Sequence, residues 1–258
     1  VADINPPRDE LKHIHSSNPN IRFHPMDISS FNSVSRIIHE IKPKVVFHLA
    51  SMIDLRVCPS PVLYSVNVTG TENVIRAIQT IDDGRTSGTP TTRYLVYTST
   101  IDVACVPHQG CEHVTEADGY SKKSPTNYEV TKVEAEKMVL AANRNGNNGY
   151  CTTNSITIAL RPGHVFGIFD PVIPTMEAVP PIAVGPSWSR MSMVYVENIA
   201  IAHIHSYYLL LQQYDRRRQA KIENGEDIGG KPFFITDFDA NFCDFYFSLI
   251  GKKSSKWI

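Results

Sequence analysis

The run Val45-Val46-Phe47-His48-Leu49-Ala50 has too few polar side chains to be a strand with one wet face. Apolar runs of this length read as strands buried on both faces, which demands helices above and below and parallel neighbours beside. The chain supplies them in alternation. Strands are expected at Ile21–His24 and Arg93–Ser99, and Ser155–Arg161 alternates as a further one. Between them lie helical patterns at Arg8–Ser16, Asn32–Ile41, Pro61–Thr80 and Tyr128–Asn143. Such regular alternation predicts an α/β fold built on a doubly wound parallel sheet.

From Pro162 onward the pattern changes, because Pro162, Pro171, Pro174, Pro180, Pro181 and Pro186 cut the chain into short pieces. Short strands are expected at Met193–Val196 and Phe233–Thr236, with helices at Glu197–Leu211 and Ala240–Ile250. We read residues 1–161 as a dinucleotide-binding domain and 162–258 as a smaller lobe over the carboxyl edge of the sheet. Open sheets of this class bind ligands at that edge. Residues 84–90 and 145–149 read as polar loops.

A formal net charge of -1 leaves no basic excess for a nucleic-acid partner. The five cysteines, Cys58, Cys105, Cys111, Cys151 and Cys243, are odd in number and irregularly spaced, so they read as reduced thiols of an intracellular protein. His108, Cys111 and His113, with Cys105 upstream, fit no zinc spacing, and no metal site is expected. No apolar run approaches the length of a membrane span. The chain opens on Val1 in what reads as a strand already under way, so both ends are expected to be cut.

Several residues could carry chemistry at the ligand edge. Asp3 closes the first visible strand, where an acid in a dinucleotide fold holds the adenosine ribose hydroxyls and favours NAD over NADP. The alternative for Asp3 is a cap or loop acid. The glycine-rich phosphate loop that should precede Asp3 is not in the sequence, so the first β-α unit is expected to be missing and dinucleotide binding by this chain alone to be poor. Asp27 follows a strand and is placed to accept from an adenine amino group, with Ile28 offering backbone; Asp27 could equally cap a helix. Ala50 and Ser51 are small enough to admit a cofactor backbone. Tyr128 and Lys132, at i and i+4, share one helix face, where an ammonium would favour the phenolate and make tyrosine a usable base. As an isolated spacing, that pair could also be incidental.

Taken in order, Asp3, Met26-Asp27-Ile28, Val46-Phe47-His48-Leu49-Ala50, Asn67-Val68-Thr69-Gly70-Thr71, Tyr97-Thr98-Ser99-Thr100, Tyr128-x-x-x-Lys132 and Leu160-Arg161-Pro162 resemble the extended short-chain dehydrogenase/reductase superfamily with its Rossmann-type fold. Within it, Tyr97–Ala104, Val194–His203 and Lys231–Asp237 look most like the 3β-hydroxysteroid dehydrogenase/isomerase family, which includes sterol-4α-carboxylate 3-dehydrogenases. The resemblance implies NAD-dependent oxidation of a 3β-hydroxyl on a steroid or sterol. It implies Tyr128 as base, Lys132 as the group that lowers the tyrosine pKa and binds the nicotinamide ribose, and Thr100 as hydrogen-bond partner of the reacting oxygen. Further cofactor contacts are implied at Leu49, Asn67, Ser99, Pro162 and Val165. Met52, Val165, Phe166, Ile168, Val179 and Ile182 are candidate walls of an apolar substrate pocket. A homodimer through the helices near Pro61–Thr80 and Tyr128–Asn143 is implied, as is peripheral membrane contact at the cytoplasmic face of the endoplasmic reticulum. A nucleotide-sugar epimerase or dehydratase of the same superfamily, and a non-catalytic NAD-binding regulator, are the competing readings.

Overall fold

Strand β1 (Ala2–Asp3) pairs in parallel with β2 (His24–Pro25), and α1 (Phe31–Ile41) follows. The computed structural model describes residues 1–7, 9, 17–53, 60–81, 94–105, 113–121, 126–143, 155–170, 172–183, 186–218, 227–252 and 256–257. The helix expected at Arg8–Ser16 and the loops at 84–90 and 145–149 fall outside them, apart from Asp9. Helix α1 starts where Ser30 accepts the Ser33 amide, and its buried Val34, Ile37 and Ile38 form the inward face.

The main sheet is parallel in the order β3 (Val45–His48), β4 (Tyr94–Thr98), β5 (Ile156–Pro162), β9 (Pro232–Ile235). Residues Tyr94 to Tyr97 of β4 are all buried, because successive side chains face two different helical layers. Leu95 and Tyr97 pack with Val34, Val74, Ile78, Ala135 and Val139 on one face. Tyr94 and Val96 pack with Ile158, Leu160 and Leu210 on the other. Among the described residues no strand bridges the β1–β2 pair and β3.

The helix expected over Pro61–Thr80 is interrupted. It runs as α2 (Pro61–Tyr64), a π-helical turn Ser65–Thr69 and α3 (Gly70–Ile81). Helix α4 (Asn127–Ala141) matches its expectation and packs beside α3.

After β5, Gly163 leads into the smaller lobe. A side chain there would drive a Cβ to 2.4 Å from the Ser192 carbonyl oxygen, so the two segments approach this closely only with glycine. The lobe holds β6 (His164–Phe166), α5 (Val172–Ala178), β7 (Ile182–Ala183), β8 (Met191–Tyr195), β10 (Phe238–Ala240) and α7 (Phe242–Leu249). Strand β8 pairs with β6 in parallel and with β10 antiparallel. Strand β11 (Lys256–Trp257) pairs with β7. Met176, Met193, Tyr246 and Phe247 form the lobe core.

One assignment differs from the sequence reading. Phe233–Thr236 was expected within the lobe, yet Pro232–Ile235 is the fourth strand of the main sheet, with Arg161 opposite Phe234. The 23-residue helix α6 (Val196–Arg218) carries the chain back across the sheet. Leu210 and the ring of Phe233 then close the same apolar layer as β4 and β5. Burial of that layer, rather than position along the chain, decides where the strand goes.

Candidate functional site

Helix α4 begins with a reciprocal cap. The Glu129 carboxylate accepts from the Thr126 amide at 2.9 Å and from the Thr126 hydroxyl. This fixes the first turn, and Tyr128 sits on it, buried. Lys132 lies one turn further and is 2 % exposed. Its Nζ donates to the Thr98 carbonyl at 2.7 Å, the last carbonyl of β4, and lies 4.5 Å from the centre of the Tyr97 ring.

The chain beyond β4 supplies Ser99 and Thr100. The Thr100 hydroxyl donates to Asp102 at 2.9 Å, and its oxygen receives the Asp102 amide at 3.3 Å, opening a single 3₁₀ turn over Ile101–Val103. Opposite, Asn67 in the π turn binds the segment after β3. Its Oδ1 accepts from the Met52 amide at 2.7 Å and the Ser51 hydroxyl at 3.3 Å, and its Nδ2 donates to the Met52 carbonyl and to Thr131 of α4. Both lone pairs and both N–H groups of the amide are thereby used within the protein.

The electrostatics differ from the expected pair. Burial, then the negative charges of Asp102 and Glu129, push the Tyr128 phenol well up from its usual range, with Ser51 opposing. Burial lowers the Lys132 ammonium to about 7, with Glu136 opposing. The expectation that Lys132 pulls Tyr128 down is not met here, because the ammonium is aimed at Thr98 and the face of Tyr97. Burial, then the Lys132 charge, drives His48 down to about 3, so it is neutral and bonds Thr71 at 2.9 Å. His203 is buried and bonds Thr98 Oγ1 at 2.7 Å.

Thr100, Ser99, Ser51, Asn67, Tyr128 and Lys132 therefore converge at the carboxyl end of β4. Pro162 is buried at the matching end of β5, and Val165 is exposed just beyond it. Leu49 is exposed and Ala50 partly buried against the core. Asp3 and Asp27 stand apart on the β1–β2 pair. Asp3 accepts from the Asn5 amide, and Asp27 from the amide and hydroxyl of Ser29, so each closes a local turn. Ile28 is buried and its carbonyl takes the Asn73 side chain. Among the candidate walls, Ile168 is 68 % exposed, while Phe166 packs in the lobe against Phe238 and Phe245.

Two features had not been read from sequence. Glu136 and Arg161 form a fully buried ion pair at 2.7 Å behind Lys132. The i+4 spacing of Glu136 from Lys132 was the available signal. Cys105 is disulfide-bonded, which overturns the expectation of a reduced thiol there; Cys243 is free. Parity and spacing weigh the cysteines as a set, whereas a bond needs only two sulfurs brought close by the fold. Cys58, Cys111 and Cys151 lie outside the described residues.

Comparison with known proteins fits this arrangement. The chain is 30% identical over 214 residues to the 3beta-hydroxysteroid-dehydrogenase/decarboxylase isoform 2 of Arabidopsis thaliana, covering 80% of this chain and 34% of the relative. It is 28% identical over 244 residues to the decarboxylating sterol-4-alpha-carboxylate 3-dehydrogenase of Candida albicans, covering 92% of this chain and 62% of that one. The chain thus spans less than two thirds of either relative. Among solved structures, it shares its fold with the UDP-glucose 4-epimerase of Thermus thermophilus in complex with NAD (TM-score 0.63, 19% identity, 93% of this chain and 72% of that one). It does so too with the UDP-glucuronic acid 4-epimerase of Bacillus cereus in complex with UDP-glucuronic acid and NAD (0.67, 18%, 96% and 73%). Residues 1–253 match the model of the 3-beta hydroxysteroid dehydrogenase/isomerase family, and the chain belongs to that family.

Proposed function

We propose that the whole protein oxidises the 3β-hydroxyl of a steroid or sterol with NAD rather than NADP, and that this chain carries its proton-transfer site. The observation that carries the reading is the burial of Tyr128 and Lys132 one helical turn apart beside the Thr98–Thr100 strand end, in a member of this family. The residues fit a nicotinamide riboside. The buried Ser99 hydroxyl has no protein partner among the described residues, and Lys132 has spent one of three N–H donors on Thr98. A bound nicotinamide supplies the hydride acceptor.

Tyr128 takes the proton of the substrate alcohol. Its phenol is held neutral in the site as it stands, so ionisation requires added positive charge nearby or reorientation of the Lys132 ammonium toward it. Thr100 orients the reacting oxygen, and Asp102 sets the rotamer from which it does so. Met52, Val165, Ile168, Val179 and Ile182 face the substrate as an apolar wall, while Phe166 supports it from the lobe core.

The test is Tyr128→Phe in the whole protein, assayed by NAD reduction against 3β-hydroxysterols and 4-carboxysterols and by formation of epimerised or dehydrated sugar from UDP-sugars. Turnover is expected to fall at least about 10²-fold with NAD affinity near wild type. Near-wild-type turnover sinks the assignment, and activity only on UDP-sugars moves the protein to the epimerase reading. We further propose a homodimer through α2 and α4, on whose surfaces Val62, Tyr64 and Val130 are exposed. No described helix is long and apolar enough to cross a membrane; peripheral contact at the cytoplasmic face of the endoplasmic reticulum is part of the proposal.

A further inference from the structure

Behind Lys132 the core holds a charge pair that the proton-transfer chemistry does not touch. Glu136 and Arg161 are 0 % and 1 % exposed. Arg161 Nε donates to both carboxylate oxygens at 3.2 Å and Nη2 to Oε1 at 2.7 Å. The guanidinium is flanked by the rings of Tyr120 and Phe234, each centred 5.4 Å away. A pair this well made is nevertheless weak evidence of a purely stabilising purpose. Two apolar side chains of similar volume do as well or better in such a place, because desolvating both charges offsets most of their attraction.

What apolar residues could not do is act on Lys132. Glu136 lies one turn along α4 from Lys132, on the same face. Across the ammonium, β3 presents His48, which is neutral, and β4 presents Tyr97, whose phenol is pushed well up by burial and stays protonated. Tyr128, on the same helix, is a neutral phenol. β5 presents Arg161, which is bound to the carboxylate. Tyr120 adds a phenol, also pushed up. Among the described residues Glu136 is the one carboxylate acting on Lys132.

We infer that Glu136 is a positioning residue that favours the ammonium form of Lys132, and that Arg161 holds Glu136 oriented for that purpose. The inference rests on the proposed role of Lys132. In water-poor surroundings a lysine sheds its proton, and a neutral amine could neither favour a phenolate nor hold a ribose hydroxyl as a cation. One buried carboxylate at helical spacing counters this, and the arginine fixes that carboxylate in place through Nε and Nη2.

The experiment titrates Lys132 directly. Lysine labelled with ¹³C at the ε carbon is followed by NMR in the chain itself, the Lys132 resonance being assigned by its loss in Lys132→Met. Three proteins are compared with wild type: Glu136→Gln, the paired swap Glu136→Leu with Arg161→Met, and Arg161→Lys. The first two are expected to move the Lys132 titration down by about one pH unit or more, and the third, which retains the charge pair, to leave it near wild type. The paired swap keeps the core filled, so it answers even where Glu136→Gln does not fold. An unchanged Lys132 titration in a folded paired swap overturns the inference and reduces Glu136 and Arg161 to packing. No cofactor or substrate enters this measurement. A shifted titration together with full turnover of Lys132→Met in the whole protein would therefore reject the proposed function and leave the positioning role intact.

Discussion

Replacing Lys132 by methionine should stabilise the fold while removing the chemistry, and the size of the gain should depend on pH. Lys132 is fully enclosed, and its pKa falls from 10.5 to about 7. At 1.36 kcal/mol per unit, that depression is about 5 kcal/mol of cost relative to a lysine in water. Methionine has nearly the same length and no charge to desolvate. Against this, the variant loses the charged hydrogen bond to the Thr98 carbonyl, about 1.5–3 kcal/mol. A net gain of about 2–3.5 kcal/mol at pH 7 remains, or roughly 4–14 °C in Tm for a chain of this size.

The sign with pH follows from linkage. The folded-state pKa is depressed, so between about 7 and 10.5 the unfolded chain binds more protons, and wild-type stability rises with pH over that window. Lysine's stability is fully present above the unfolded pKa and lost as pH falls toward 7. The methionine advantage should therefore be largest at pH 6–7 and shrink by up to about 1.4 kcal/mol per unit toward pH 9. Urea midpoints at pH 6, 7, 8 and 9 measure it. A methionine variant less stable than wild type at pH 6, or a difference that is flat from pH 6 to 9, refutes the reasoning.

Asn67→Ala removes four hydrogen bonds at one buried position, and at about 1 kcal/mol each should cost on the order of 3–4 kcal/mol. Amide hydrogen exchange at Met52 should accelerate by far more than at β4; equal changes at both would mean global loosening instead. If α2 and α4 form the dimer face, Val62→Glu with Val130→Glu should halve the mass of the whole protein in light scattering. A wild-type monomer contradicts the proposal outright.

The parallel sheet was legible because burial on both faces leaves its mark in local composition, as at Tyr94–Thr98; the Val45–His48 run is a parallel strand of that sheet as well, but only His48 in it is buried and Phe47 is exposed. Helix α4 was legible from the helical spacing of Tyr128 and Lys132, whereas its Thr126/Glu129 cap was found only in the structure. The destination of Pro232–Ile235 was not, since pairing with β5 depends on a 23-residue helix closing a layer formed by residues far apart in sequence. The π turn at Ser65–Thr69 also left no periodic trace, although it contains the very Asn67 singled out as a cofactor contact. In the site, residue types and spacing located Tyr128 and Lys132 but not the direction of the ammonium. That direction is set by Thr98 and Tyr97 on another element. The charge pair Glu136–Arg161 joins residues 25 apart, and only the fold shows that they meet.

Strand β3 is hydrogen-bonded to a neighbour on one side only among the described residues. Phe47 is 38 % exposed on that strand and Leu49 57 % exposed just beyond it, so β3 leads from an open apolar face straight into Ser51 and Met52, the segment that Asn67 holds in the site.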